Sequence, residues 1–382
     1  MNPPIENVSE EEARLFHELF ERHRGQSHVS LVHHRRGKIA ELERALANRK
    51  RIYLDTKYWV YLRDPDRSPD PEAIRELKAL LYSAVATGKI FCPLSFSTYD
   101  ELMVIMPLER RLATARIMDD LSLGYSFCGP EDLYGLEITR FFIENSQTMR
   151  RFTYAIQPIW TRIGLLFREA YPPRGVVPAD YELNLDKALL DRMWSLGITE
   201  MAEKMPGHRV REHVADQVNE ERLRYPRAGR FFKQLYADEL HGLLDFNKHL
   251  IDSSLRDVAS LVLEPNDVPG SAFSAEMPAH VPVNLIRHAT TMGRSQPGIP
   301  MQRTEAALYA SLRLDAGRPF RPNDANDIRH TAAALAYCDL YLTERSFQEM
   351  TTRKDIRSVA PVQCQVAWIP DEAMSLLRAI TG

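Results

Sequence analysis

Short apolar blocks bounded by charge alternate along this chain with longer stretches whose apolar positions recur every three or four residues. The first kind reads as buried strand and the second as amphipathic helix. Ile52, Tyr53 and Leu54 predict a strand over 51–55, and Ile90, Phe91 and Cys92 a second over 89–94. Further strands are predicted at 339–343 and 364–369. Between the first two, Ile74, Leu77, Leu80, Leu81 and Val85 mark one face of a helix over 72–87, and Gly88 ends it. Helices are expected at 97–106 and 108–122 and, near the other end, at 303–315, 346–353 and 371–380. Asn323 or Asp324 caps a further helix rich in alanine. Ahead of the first strand, Ser9 followed by Glu10, Glu11 and Glu12 starts a helix over 9–24. Ile39, Leu42, Ala45 and Leu46 carry another over 38–50.

Strands alternating with helices predict an α/β fold with a parallel sheet. The middle of the chain breaks the alternation. Helices are expected at 131–145, 147–170, 180–204, 208–222 and 227–262, and the proline- and glycine-rich 264–300 is expected to be a loop. The domain reading is a helical extension over 1–50, an α/β core over 51–125 and 303–382, and an all-helical insertion over 126–302, looped out of the sheet.

Composition narrows the class. A chain of 382 residues, 44% of them hydrophobic, can bury a large core. Mean hydropathy is −0.34 and no apolar run reaches the ~18–20 residues of a membrane span. Cys92, Cys128, Cys338 and Cys364 are far apart with no CxxC pair, so a reducing, cytoplasmic setting is expected. The net charge of −3 argues against a uniformly basic nucleic-acid coat. Local basic clusters exist at 33–38, at Arg49, Lys50 and Arg51, and at 208–233; each also reads as a solvated helix face.

Acidic residues stand at the ends of the predicted elements. Asp55 closes the first strand, Glu101 lies in the helix after the second, and Asp327 opens the alanine-rich helix. Thr343 and Glu344 follow the third strand, with Asp339 at its start. Carboxylates at the C-terminal ends of parallel strands and at helix starts converge where open α/β sheets bind ligands. Crowded there they repel one another unless a divalent cation neutralises them. Each also has a structural alternative: Asp55 as a helix N-cap, Glu101 as the third residue of a capping box led by Thr98, Asp327 as first-turn charge beside Asp324. His330, one turn beyond Asp327, reads as a ring packed against the first strand or as a ligand-orienting group. Trp59, after Lys57 and Tyr58, reads as core.

In order and spacing these segments resemble the PIN-domain nucleases. The matching features are a strand ending on Asp55, Ser95 and Thr98 leading to Glu101, and Asp327 opening a helix with Ala332, Ala333 and Ala334 before the strand that ends at Thr343. The resemblance covers about 50–125 and 305–380. It implies a three-layer core with a central parallel sheet and one or two Mg²⁺ or Mn²⁺ ions held by Asp55, Glu101, Asp327 and a fourth carboxylate. It also implies metal-assisted hydrolysis of phosphodiester bonds, with Thr343 beside a metal-bound water or a phosphate oxygen. Arg345 stands where the family has its fourth Asp; either it contacts the scissile phosphate or the site is degraded. Glu344 or Asp339 must then be the fourth ligand. At ~3.3 Å rise per residue they are about 16 Å apart, and position favours Glu344.

The expected activity is that of an endoribonuclease with an RNA substrate. A single-strand or flap-type DNA nuclease and a catalytically impaired RNA-binding or scaffold protein are the alternatives. No membrane partner is expected, and a homodimer or a regulatory protein partner is left open.

Overall fold

The computed structural model describes residues 9–145, 158–167, 175, 178–207, 231–251, 253–254, 280–291, 298–315, 319–321, 323–360 and 363–382. Helix α1 (Glu10–Arg24) begins with a complete capping box: Ser9 Oγ accepts from Glu12 N–H, and the Glu12 carboxylate accepts from Ser9 N–H, both at 3.2 Å. Helix α2 (Leu31–Leu46) starts seven residues earlier than expected, because Ser30 accepts from His33 N–H and Gly37 is carried inside the helix.

Strand β1 (Lys50–Leu54) leads into α3 (Thr56–Arg63) and α4 (Pro71–Ala86), then β2 (Ile90–Phe91), α5 (Phe96–Val104) and α6 (Leu108–Ser122). Near the other end, α12 (Pro300–Leu314) and α13 (Asp324–Tyr337) precede β5 (Leu340–Leu342), α14 (Arg345–Thr351), α15 (Lys354–Val359), β6 (Gln365–Ala367) and α16 (Pro370–Thr381). Between these halves lie β3 (Tyr125–Phe127), α7 (Pro130–Asn145), β4 (Trp160–Arg162), α8 (Ala179–Ser195), α9 (Ile198–Lys204), α10 (Phe232–Phe246) and α11 (His280–Thr291).

The protein is mostly helical around a four-stranded parallel sheet of order β2-β1-β5-β6. Register pairs Lys50 with Ile90, Ile52 with Leu340, and Leu340 with Gln365. Strand alternation divides the core between the two faces. Ile52, Leu54, Leu340 and Leu342 pack with α3, α4, α6 and α16 on one side. Tyr53, Tyr341 and Val366 pack with α7, α10, α12 and α13 on the other.

The central segment departs from the expectation in three ways. It is not all helical, for β3 and β4 form an antiparallel pair, and β4 lies inside the helix expected over 147–170. Trp160 stacks on Phe127 with ring centroids 4.5 Å apart, a pairing across more than thirty residues that local periodicity does not contain. Nor is the segment looped clear of the sheet. Leu94 N–H donates to Tyr125 O and Phe127 N–H to Leu94 O, so a single parallel bridge just past β2 ties the β3–β4 pair to that side of the sheet. Helices α7, α10 and α11 share one core with α12, α13 and the sheet face. Finally, α11 lies within the loop expected over 264–300, and the helix expected over 180–204 breaks at Leu196 and Gly197. There Asp119 accepts from Ile198 and Thr199 N–H, both at 2.9 Å, capping α9. The helix expected over 208–222 lies outside the described residues.

Buried polar groups fasten this segment to the core. Glu137 on α7 accepts from Met301 and Gln302 N–H at the start of α12, at 2.6 and 3.1 Å, and from the Tyr337 hydroxyl. Burial pushes its pKa up to about 7 despite those donors. Asp191 on α8 accepts from His23 (2.9 Å), His34 (2.8 Å) and Lys38 (3.1 Å), tying α1 and α2 to α8. The four cysteines are free, and three are buried beside strands as expected. Among the described residues no helix is long and apolar enough to cross a membrane.

Candidate functional site

The chain runs from β1 to β2 on one side of the sheet and from β5 to β6 on the other. The strand order therefore reverses between β1 and β5, and the crevice beyond their C-terminal ends is where such sheets bind ligands. Asp55 stands at the end of β1 and Glu344 just after β5. Helix α5 brings Glu101 and the first turn of α13 brings Asp327. Asn326 Nδ2, beside Asp327, donates to Asp100 of α5 at 3.3 Å, which joins these two helices at the site.

Asp55 combines two of its readings. It caps α3, accepting from Lys57 N–H at 3.2 Å, and its Oδ2 accepts from the Thr343 hydroxyl at 3.0 Å. It is 8% exposed. Burial raises its pKa first of all; the Asp327 charge pushes the same way, while His330 and the two donors oppose.

The capping-box alternative for Glu101 does not hold. Ser95 is the N-cap of α5, accepting from Thr98 N–H at 3.1 Å. Ser95 and Thr98 also bond the Tyr53 hydroxyl at 2.7 and 3.0 Å. Glu101 therefore lies beyond the cap, on the body of the helix. Its Oε1 is buried with no hydrogen-bond partner. Burial pushes its pKa up to about 7, Asp327 and Asp55 add to this, and His330 opposes it. Thr56 Oγ1 is close enough to favour the carboxylate but makes no hydrogen bond of ordinary geometry.

Asp327 is half-buried, with Oδ1 3.4 Å from His330 Nε2. The side chain of Asn323, the N-cap residue of α13, makes no capping bond, while Asp324 turns back to accept from Arg321 N–H at 2.8 Å. Burial raises the Glu344 pKa, and the charges of Asp55 and Asp327 raise it further. Glu344 is thus electrostatically part of the cluster. Asp339 is not. It lies at the opposite end of β5, accepting from Arg51 backbone N–H (2.9 Å) and from Arg51 Nε (2.8 Å). Its pKa stays below the usual value, because those bonds and charges outweigh the burial that would raise it.

Two residues expected to contact substrate are placed as follows. Thr343 is fully buried and its hydroxyl donates to Asp55 Oδ2, so it positions that carboxylate. Arg345 is exposed, with Nε 2.7 Å from Glu349 and its guanidinium 5.5 Å from the Trp368 ring centroid. The basic residues of two expected patches are also engaged elsewhere: Arg49 donates to Val85 O and Ile90 O, Arg51 holds Asp339, and His34 and Lys38 hold Asp191. Most of the third patch lies outside the described residues. Tyr58 and Trp59 are core, as expected of Trp59.

His330 meets both of its expected readings. It is 1% exposed and lies edge-on to Tyr53 and Tyr341, as a packed ring would. It also sits among the carboxylates. Burial lowers its pKa, but Asp327, Glu101 and Asp55 together overcome this and hold it up to about 9. The signal available in the sequence was the three-residue spacing from Asp327.

These residues suit a hard divalent cation. Glu101 Oε1 is a buried carboxylate oxygen without a partner, and ligand atoms of Glu101, Asp327 and His330 lie within 4.8 Å of one another. Among the described residues, no lysine or arginine forms an ion pair with Asp55, Glu101 or Asp327. Comparison with protein-family models, with curated proteins and with solved structures returned no match.

Proposed function

We propose that this chain is a metal-dependent nuclease with a PIN-like core, acting as an endoribonuclease. One observation supports the reading: ligand atoms of Glu101, Asp327 and His330 lie within 4.8 Å of one another, Asp55 and Glu344 feel the Asp327 charge from the ends of β1 and β5, and among the described residues no lysine or arginine forms an ion pair with Asp55, Glu101 or Asp327. Carboxylates kept for stability are paired, because an unpaired buried charge is costly. Four acids around one histidine therefore imply a missing positive charge.

A divalent cation bound there supplies an activated water and stabilises charge developing on a phosphodiester. The protein's part is to hold the ligands. Lys57 N–H and the Thr343 hydroxyl fix the Asp55 carboxylate, and the Ser95 cap with the Tyr53 hydroxyl fixes α5 and hence Glu101. Glu344, on the solvent side, is the fourth ligand and lies where substrate enters. RNA follows from the resemblance, since no residue described here is aimed at a 2′-hydroxyl.

The test is cleavage of single-stranded and structured RNA by the full chain with Mg²⁺ or Mn²⁺, beside DNA of the same sequences. Asp55→Asn should bring cleavage to background while the fold is retained, and the melting temperature in metal-free buffer should be unchanged or slightly higher. Full activity of Asp55→Asn, or wild-type activity in EDTA, excludes this mechanism. Cleavage of DNA alone moves the substrate to the flap-type alternative, and binding without cleavage moves the protein to the RNA-binding one.

A further inference from the structure

We propose that His330 is itself a metal ligand and makes this centre select a first-row transition ion such as Mn²⁺ over Mg²⁺. The inference rests on the divalent-cation site proposed above and adds a nitrogen donor that the all-carboxylate reading lacks.

The first ground is the state of the ring. His330 is buried, and neither ring nitrogen makes a hydrogen bond of ordinary geometry: Nε2 stands 3.4 Å from Asp327 Oδ1, itself a candidate ligand, and Nδ1 has no partner. The hydroxyls of its aromatic neighbours are taken: Tyr53 bonds Ser95 and Thr98, and Tyr341 bonds Thr331 at 2.9 Å. A histidine kept only for packing would ordinarily satisfy at least one nitrogen, since a buried unpaired polar atom costs about 1–3 kcal/mol.

The second ground is distance. Donors at ~2.1 Å from a shared ion lie about 3 Å apart when adjacent and about 4.2 Å when opposite. The ligand atoms of Glu101, Asp327 and His330 fall within 4.8 Å of one another, and His330 Nε2 is 3.4 Å from Asp327 Oδ1. Small rotamer changes close that gap.

The third is spacing. Asp327 and His330, three apart on α13, share a helix face, and an acid followed by His at the third position is how carboxylate-bridged di-iron and dimanganese bundles present ligands. Imidazole changes the preference of the site. Mg²⁺ takes oxygen ligands and gives up water reluctantly, whereas a nitrogen donor is better accepted by a first-row transition ion, Mn²⁺ the least selective of them.

The experiment uses the full chain freed of metal, without nucleic acid, and Mn²⁺ and Mg²⁺ alone as probes. Pulsed electron paramagnetic resonance of bound Mn²⁺ should detect imidazole-nitrogen coupling, altered when the histidines are nitrogen-15 labelled. The coupling should persist in His34→Gln, which removes a ligand atom from the His23–His34–Asp191 cluster, and vanish in His330→Asn. The Mn²⁺-over-Mg²⁺ preference in competition should fall in His330→Asn by about tenfold or more, the scale on which groups at metal centres usually affect affinity. Should His330→Asn fail to fold, the coupling in wild type and His34→Gln still decides. Mn²⁺ bound without nitrogen coupling, coupling lost in His34→Gln, or a preference unchanged in His330→Asn overturns the assignment and leaves His330 a counter-charge within a centre that stands. Failure of wild type to bind either ion overturns the centre itself.

Discussion

Strands β1 and β5 carry acidic groups at both ends, and the ends differ in how those groups are balanced. At the N-terminal end Asp339 meets Arg51 through both backbone and guanidinium, with Lys50 3.5 Å away, and its pKa is held down. At the C-terminal end Asp55 and Glu344 are joined by Glu101 and Asp327, and burial raises the pKa of Asp55, Glu101 and Glu344. Among the described residues His330 offsets Asp55 and Glu101, while Lys57 and Arg321 partly offset Glu344. The first arrangement is complete and ties the two central strands together; the second leaves Glu101 Oε1 without a hydrogen-bond partner, which is what the proposed cation would answer. A carboxylate's role is therefore read from its partners rather than from its place at a strand end.

The largest way to break this contrast is to neutralise one acid at each end. Asp55→Asn should abolish cleavage and preserve stability. Asp339→Ala should do the reverse, costing about 1–3 kcal/mol for the lost bonds to a charged group while the metal titration midpoint of activity stays put. The pH dependence gives a second reading of the same difference. Because the folded pKa of Asp339 lies below its ordinary 3.8, its contribution is complete above that value and is lost as pH falls through the folded pKa. Denaturant melts should show a constant gap between wild type and Asp339→Ala near neutrality, narrowing below pH 3.8. A gap that widens in acid would mean that Asp339 is not held by Arg51.

Glu344→Gln sharpens the comparison with a smaller effect. As the most exposed of the four acids it should lower activity about ten- to a hundredfold, with a raised metal requirement. If Asp339→Asn abolishes cleavage and Glu344→Gln does not, the fourth ligand has been misassigned. The smallest effect belongs to Arg345→Ala. Its exposed pairing with Glu349 is worth at most about 0.5 kcal/mol, and cleavage rates should not change. A large loss of rate would place Arg345 on the substrate despite its position against Trp368.

Much of the frame was legible because it is local. The strand ending at Asp55, the amphipathic helix after it and the Ser9 and Asp55 caps follow from residues within a few positions of one another. The middle of the chain was less legible for the opposite reason. Trp160 in β4 reads as helix until Phe127 is beside it, and α7, α10 and α11 read as an excluded insertion until their apolar faces meet α12 and the sheet. At the site, the sequence singled out Asp55, Glu101, Asp327 and Glu344 but did not contain the Thr343 bond to Asp55, the Arg345 pairing with Glu349 or the place of His330 beside the carboxylates. Where a threonine or arginine beside a strand end points depends on the neighbouring strand and helix, which no spacing rule contains.

The sequence by itself determined which residues could carry charge at the ends of the strands, because hydrophobic period and turn chemistry act over a few residues and fix where each strand stops. Only the tertiary structure decided which of those charges are answered. Arg51 closes on Asp339 through the register of β1 with β5, whereas burial by α5 and α13 strips Glu101 and His330 of solvent and leaves His330 Nδ1 and Glu101 Oε1 without a hydrogen-bond partner. Solvation and pairing depend on contacts between segments hundreds of residues apart, so the same acidic side chain becomes a structural clamp at one end of a strand and part of a crowded acidic cluster, the proposed metal site, at the other.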